Sequence, residues 1–237
     1  MRILLLGYGK MGKTIESIAL ERGHSIVGKI DVNNRSDLDA LQPGDVDVAI
    51  EFSAPEAAYN NITECLKKGW PVVSGTTGWL EHRAEIENLC VQQNGAFFYA
   101  SNYSIGVNLF FRLSRQLARL MNGHGYQQSM TEIHHIHKLD APSGTAITLA
   151  EGISDEIDNL EGWKLAPENE TGYLQIISKR EGEVPGTHIV RYESEVDTIE
   201  ISHTAHSRKG FALGAVVSAE WLPGRNGVFG MNDLLKI

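Results

Sequence analysis

The chain has only two cysteines, Cys65 and Cys90, in 237 residues, and both fall in stretches that read as helix. A disulfide framework has nothing to build on, and the expectation is a pair of reduced, buried thiols. Positive charge is short as well. Lys and Arg number 21 against 30 Asp and Glu, a formal net charge of -9, so no broad basic surface exists to release counterions from nucleic acid. Any anionic ligand must be held by a local cluster. Long hydrophobic runs are missing too. The opening "MRILLLGYGKMG" is too briefly apolar for a signal peptide, and no segment approaches the roughly 20 apolar residues of a membrane span. The expected compartment is the cytoplasm, with no membrane partner. Internal repeats and low-complexity segments are absent. What is present, 42% hydrophobic and 22% charged residues, is the balance of a globular protein rather than a disordered or collagen-like one. The length fits one large α/β domain or two smaller units.

The first half alternates strand and helix. "RILLLG" is a continuous apolar run ending in glycine, the pattern of a strand buried on both faces. A helix over Met11 to Arg22, stopped by Gly23, leads to a second strand in "HSIVGKID". The grammar repeats through "DVDVAIEFS", a helix with Pro55 in its first turn, "PVVSGTT", a further helix and "AFFYAS". Alternation at this spacing predicts a parallel sheet covered by helices. Leu109, Leu113, Leu117 and Leu120 recur at helical spacing and predict a longer amphipathic helix leaving that sheet. After Gly123 come a strand into a histidine cluster, a helix from Thr145 to about Ile157, a polar loop and three β-like runs, "YLQIISKR", "HIVRYES" and "TIEISHTA". Bunched strands predict a second, α+β unit on an open mixed or antiparallel sheet. In the tail, a helix with the small residues Ala212, Gly214, Ala215 and Ala219 on one face suits packing back on the first sheet. The division expected is 1–103 with 206–237, and 104–205.

"GYGKMG" sets Gly7, Gly9 and Gly12 at G-x-G-x-x-G spacing between a strand and a helix. One glycine allows the tight turn, one lets backbone approach a pyrophosphate, and one permits close helix packing, with phosphate at the helix N-terminus. An empty structural turn is the alternative, and the strand–turn–helix context favours a dinucleotide. Asp31 ends the second strand, where an acid accepts from ribose hydroxyls and repels a 2′-phosphate. Lys10, Asn33, Asn34 and Arg35 lie near enough in sequence to soften that repulsion. "SGTTG" and "ASNYS" follow other strands of the sheet and belong at the ligand crevice, although ordinary turns have the same composition.

"EIHHIHKLDAPSGT" concentrates three histidines and a lysine before a capped turn. If the strand runs on through Lys138, alternation puts Glu132, His134 and Lys138 on one face and His135 and His137 on the other. The cluster then does not converge on a metal, and no cysteine or further histidine stands at a familiar ligand spacing, so no metal is expected. His134 and Lys138 make an acid pair, while Ser143, Thr145 and the N–H groups of the turn can hold a carboxylate, with positive charge from His135. Against this, any one histidine is commonly a satisfied structural residue, and "SGT" is also a plain helix cap.

These segments, with "REGEVPGTH", "IEISHTAHSRKGFALGAV" and "WLPGRNGVFGMNDLL", make the chain resemble the 4-hydroxy-tetrahydrodipicolinate reductase (dihydrodipicolinate reductase) family from end to end. The resemblance implies an N-terminal Rossmann-type domain completed by the tail, and a central domain that binds substrate and builds a homotetramer through its sheet. It implies reduction of a small cyclic dicarboxylate by NADH or NADPH in lysine and diaminopimelate biosynthesis, with the domains closing over both ligands. His134 and Lys138 are the implied proton-transfer pair, and His135, Gly144 and Thr145 the substrate ligands, joined by Ser143. Gly7, Tyr8, Gly9, Lys10, Met11, Gly12, Asp31, Gly75, Thr76, Thr77, Ala100, Ser101, Asn102 and Tyr103 are the implied cofactor lining. The short link between Asp31 and the next strand leaves NADH against NADPH open. Two rivals share the glycine loop. A dehydrogenase of another small acid gives no reason for the whole histidine string, and a non-catalytic dinucleotide sensor leaves His134 and Lys138 without a task.

Overall fold

A computed structural model describes residues 1–168, 170–207 and 209–236. The chain divides into two compact units, Met1–Ile105 with the tail from Lys209, and the segment beginning at Gly106 between them.

The first unit is a six-stranded parallel sheet in the order β11-β5-β4-β3-β1-β2. Its strands are β1 (Arg2–Leu6), β2 (Ser25–Ile30), β3 (Val48–Glu51), β4 (Val72–Ser74), β5 (Ala96–Tyr99) and β11 (Gly227–Phe229). The continuous apolar runs have the reason expected: every residue of β3, β4 and β5 is buried, as are Ile3 to Leu6. Helices α1 (Lys10–Glu21) and α7 (Lys209–Trp221) cover one face, where Ile15, Ala19, Ala212, Ala215 and Ala219 pack with Ile3, Leu5 and Phe98. Helices α3 (Pro55–Lys67) and α4 (Arg83–Gln92) cover the other, with Ile62, Leu66 and Ile86 against Leu4 and Phe97. Each such large aliphatic side chain contributes about 1.5–3 kcal/mol on burial. Cys65 and Cys90 are free thiols in these helices and fully buried, and burial pushes the Cys65 thiol up. The small face of α7 has a sharp cause. A Cβ on Gly214 would lie 1.7 Å from the Tyr103 carbonyl oxygen.

The second unit is a five-stranded mixed sheet, order β10-β9-β6-β8-β7. Strand β6 (Gln127–His134) runs parallel to β8 (Tyr173–Arg180) and antiparallel to β9 (Thr187–Glu193), which pairs with the edge strand β10 (Thr198–Thr204). Met130, Leu174, Ile176, Val190 and Tyr192 present one apolar face to α5 (Ile105–Met121) and α6 (Gly144–Ser154). Two expectations need correction. The face that α5 buries carries Val107, Phe110, Ser114, Ala118 and Met121, whereas Leu109, Leu113 and Leu120 are exposed. The polar loop after α6 contains a further strand, β7 (Gly162–Leu165), whose half-buried residues give no alternation to read. Two short helices, α2 (Asp37–Ala40) and α8 (Met231–Leu235), complete the chain. Among the described residues, no helix is long and apolar enough to cross a membrane.

Candidate active site

In the first unit, β1 enters a turn that only glycines can make. Gly7 has φ +92°, and a Cβ there would stand 2.1 Å from the Phe52 carbonyl oxygen; one on Gly12 would stand 2.3 Å from that of Gly7. The turn thus packs directly on the end of β3 and delivers Gly9 as the N-cap of α1. No side chain caps this helix, so its first-turn N–H groups are available to an anion. A cavity of about 650 Å³ opens here, lined by Gly7, Tyr8, Gly9, Asp31, Arg35 and Asn60 among others. It lies where β1 and β3 meet and the strand order reverses, the usual seat of a nucleotide. Asp31 stands exposed just past β2, its Oδ1 accepting the Val32 N–H at 2.8 Å. Tyr8 is held in place: its hydroxyl donates to Glu16, whose other oxygen is 2.5 Å from Lys29 Nζ. This donor set, open helix N-terminus and acidic lip fit a dinucleotide.

The remaining residues implied for the cofactor divide. Lys10 and Met11 begin α1. Gly75, Thr76 and Thr77 follow β4, and Ala100, Ser101, Asn102 and Tyr103 follow β5, at the same carboxyl edge of the sheet but outside the lining of that cavity. Gly75 packs on the Phe52 ring. Two side chains turn inward: Tyr103 is fully buried and donates to the Ser74 carbonyl at 2.7 Å, and Thr76 donates to Glu51 at 2.9 Å. Glu51, overlooked in the sequence, ends β3 fully buried and also accepts the Ser74 hydroxyl at 2.7 Å and the Ser53 N–H at 3.1 Å.

In the second unit, register builds the site. Ser178 on β8, Glu132 on β6 and His188 on β9 pair as one cross-strand row, and Arg180 pairs with His134 two residues further on, on the same face. Pairing partners share a face, so these side chains converge. The Glu132 carboxylate is fully buried and accepts the Ser178 hydroxyl (2.8 Å), the Ser143 N–H (3.1 Å) and Arg180 Nη2 (3.2 Å). His134 Nδ1 lies 3.2 Å from its other oxygen, near enough for an ion pair but out of line for a sound hydrogen bond. Burial opposes charge on Glu132, but contacts from His134, Ser143 and Ser178 outweigh it and hold the carboxyl well below its usual range. His188 behaves oppositely: burial, then the neighbouring His134 charge, lower it to about 4. Donor atoms of Glu132, His134 and His188 lie within 4.8 Å of one another, as a cation would need. However, Arg180 already supplies the cation and occupies one Glu132 oxygen.

The expected strand through Lys138 is corrected. It ends at His134, and 135–143 is a looped segment in which the Lys138 N–H turns back to the His135 carbonyl at 3.1 Å. Alternation therefore does not sort His135, His137 and Lys138 onto faces. Lys138 Nζ lies 2.8 Å from both Asp140 oxygens, and His137 Nε2 lies 3.4 Å from Glu183. Arg180 fastens this segment, donating from Nε to the Lys138 carbonyl (3.3 Å) and from Nη2 to that of Asp140 (2.6 Å). Ser143 caps α6 as expected, its hydroxyl accepting the Ala146 N–H at 3.2 Å. Buried and 3.3 Å from His188 Nε2, it is engaged within the protein, while Gly144 and Thr145 open the helix. Arg180, His188 and Ser178 were missed because each sits in an ordinary β-like run and matters only through register. Glu132 was legible, on the face of His134.

Residues 1–103 match the family model described as dihydrodipicolinate reductase, N-terminus, and residues 106–235 match that described as its C-terminus. The chain is 52% identical over 239 residues to a 4-hydroxy-tetrahydrodipicolinate reductase of Christiangramia forsetii, covering 100% of this chain and 98% of the relative. It is 33% identical over 229 residues to the protein of that name in Neisseria meningitidis serogroup C, covering 94% and 84%. The fold is shared with a dipicolinate-bound dihydrodipicolinate reductase from Paenisporosarcina sp. TG-14, with TM-score 0.81, 21% identity and 98% and 99% of the two chains covered. With both halves matched and a full-length relative above half identity, the chain belongs to the dihydrodipicolinate reductase family.

Proposed function

We propose that the chain reduces 4-hydroxy-tetrahydrodipicolinate to tetrahydrodipicolinate, with NADH preferred over NADPH, as a cytoplasmic homotetramer of lysine and diaminopimelate biosynthesis. The balance is substrate, reduced cofactor and one proton giving product, oxidised cofactor and water. The observation that carries the reading is His134, buried at the end of β6 between the Glu132 carboxylate and Gly186, with Lys138 on the following segment. The 4-hydroxyl leaves with a ring proton as water to give a conjugated imine, and a bound nicotinamide would supply hydride to the ring carbon that bore the hydroxyl. Electron density then moves through the conjugated system toward the ring nitrogen, where His134 and Lys138 stabilise it and deliver the one proton of the balance. Glu132 orients the His134 imidazole. His135, Gly144 and Thr145 take a substrate carboxylate at the start of α6, where N–H groups and the helix dipole favour negative charge. Gly7 to Gly12 hold the pyrophosphate. Gly75 to Thr77 and Ala100 to Tyr103 complete the cofactor site, Thr76 and Tyr103 by fixing its backbone. Asp31 accepts from the adenosine ribose, and its charge disfavours a 2′-phosphate.

The test follows nicotinamide absorbance when purified protein meets freshly generated substrate with NADH or NADPH. Oxidation faster with NADH is expected, and none with either cofactor refutes the reading. His134→Gln and Lys138→Ala should each lower turnover by about 10²–10⁴-fold while NADH affinity stays within about twofold. Full turnover in both variants removes the acid assignment.

A further inference from the structure

Arg35 lines the first-unit cavity beside Asp31 and Lys29 stands behind Tyr8, outside that lining, and each of the two has a resident carboxylate. Lys29, at the end of β2, is taken by Glu16, with Tyr8 sharing the contact and its ring centroid 5.0 Å from the ammonium. Arg35, on the segment after β2, lines the same cavity as Asp31 and Gly9, yet its Nη2 donates to Glu64 on α3. The segment between is tied down. Asn34 donates to the Lys29 carbonyl at 2.9 Å and to Asp37 at 3.0 Å, and accepts the Asp31 N–H at 2.7 Å. Asp31 therefore faces the ligand with Lys29 and Arg35 already committed.

A ribose 2′-phosphate is best recognised by a guanidinium, whose fork donates two parallel hydrogen bonds to phosphate oxygens. Arg35 is the guanidinium in position, and Glu64 competes for it. We infer that Glu64 determines cofactor choice by withholding Arg35 from a 2′-phosphate. The inference rests on the dinucleotide reading of this cavity and on nothing about the substrate. Glu64 is absent from the cavity lining, so the charge that discriminates between the two cofactors sits behind the residue that touches them. The pair is partly solvent-exposed, at 41% and 26% for its two side chains, so it is breakable and its effect modest.

The experiment is calorimetric titration of the full chain, without substrate, using NADH, NADPH, ADP and adenosine 2′,5′-bisphosphate. Glu64→Gln should tighten NADPH and the bisphosphate by about 3- to 10-fold, the range set by releasing one exposed ion pair and gaining one phosphate contact. NADH and ADP should stay within about twofold. The gain should vanish in the double variant Arg35→Ala/Glu64→Gln. A gain that survives there is a through-space effect of the lost Glu64 charge and overturns the inference, as does an unchanged NADPH-to-NADH ratio in Glu64→Gln. Arg35→Ala alone supplies a check that does not depend on Glu64→Gln folding. Withheld, Arg35 contributes little, and NADPH affinity stays within about twofold; a tenfold loss would mean that Arg35 already serves the phosphate. Failure of NADH and NADPH alike to bind would instead sink the dinucleotide reading.

Discussion

Replacing Arg180 by alanine separates the ion pair from the chemistry it supports. The guanidinium makes one contact to the buried Glu132 carboxylate and three to the carbonyls of Lys138, Lys179 and Asp140, at 3.2, 3.3, 2.7 and 2.6 Å. Breaking a buried pair from one side costs about 3–5 kcal/mol. Glu132 keeps the Ser143 N–H and the Ser178 hydroxyl, so the low end applies, about 3 kcal/mol. That is survivable for a domain stable by about 5–15 kcal/mol, and urea unfolding should show it. Turnover should suffer more, because the segment carrying Lys138 loses two backbone anchors, and a displacement of about 1 Å costs about 10²-fold. Arg180→Lys restores the charge without the fork. It should recover much of the stability but little of kcat, whereas a merely structural role predicts that both recover together. An Arg180→Ala variant with kcat within about threefold of the parent refutes the positioning argument.

Three further outcomes follow from the same geometry. Gly186→Ala puts a methyl group 3.0 Å from His134 Nε2, and should lower turnover about tenfold with cofactor affinity unchanged; normal kcat would mean that the ring has room to move. His188, at about 4 in the fold against about 6.5 unfolded, is neutral in the native state. The unfolded chain therefore takes up its proton first as pH falls. Stability should be flat above about pH 6.5 and decline by about 3 kcal/mol toward pH 4, with His203, also lowered by burial, adding in the same direction. Glu132 joins only at the low end of this window, since its folded value is depressed and its stabilisation is lost progressively as pH falls from the ordinary carboxylate value of 4.5 toward the lower folded one. His188→Asn should flatten the slope between pH 6.5 and 4 in urea titrations, and an unchanged slope rejects the assignment. Cys65 and Cys90, both fully buried, should react with a thiol reagent only at the rate of unfolding.

The first five strands of the first sheet were legible because their signals are local, whereas β11, three half-buried residues long, gave none. An apolar run that ends in glycine needs no knowledge of its neighbours to be a buried strand, and Pro55 and Gly23 mark helix ends by their own stereochemistry. Ser143 as a cap was legible for the same reason. The second unit resisted because its site is a matter of register. Nothing in "YLQIISKR" says that Ser178 and Arg180 lie opposite Glu132 and His134, since strand pairing is fixed by the folded sheet and not by the run itself. Periodicity also misleads where hydrophobicity and burial part company. The leucines at helical spacing on α5 are mostly exposed, while its buried face includes Ser114 and Ala118. The strand through Lys138 failed because alternation cannot signal its own end; three histidines continue a pattern that the backbone has left.

Both units place a glutamate at or near the carboxyl end of a central strand, fully buried and fully used as an acceptor. Glu51 gathers Ser53, Ser74 and Thr76, the side chains that leave β3 and β4. Glu132 gathers Ser143, Ser178 and Arg180, and through Arg180 the segment with Lys138. A well-packed apolar residue at either position is commonly as stable or more so, because an acid must surrender its hydration. What the apolar residue lacks is direction. It can fill the volume beneath a loop, but it cannot fix which N–H or hydroxyl points inward, and the loops at these strand ends carry the residues proposed to hold cofactor and substrate. Glu132→Gln keeps the volume and most of the polarity, so its stability loss should be smaller than that of Arg180→Ala. Its turnover should still fall, because the amide presents one acceptor where the carboxylate presents two, and the Ser143 N–H, the Ser178 hydroxyl, Arg180 and His134 all converge on that group. A cycle of Glu132→Gln and Arg180→Ala should then be strongly non-additive in kcat; additive losses would mean that the two residues act on the site separately.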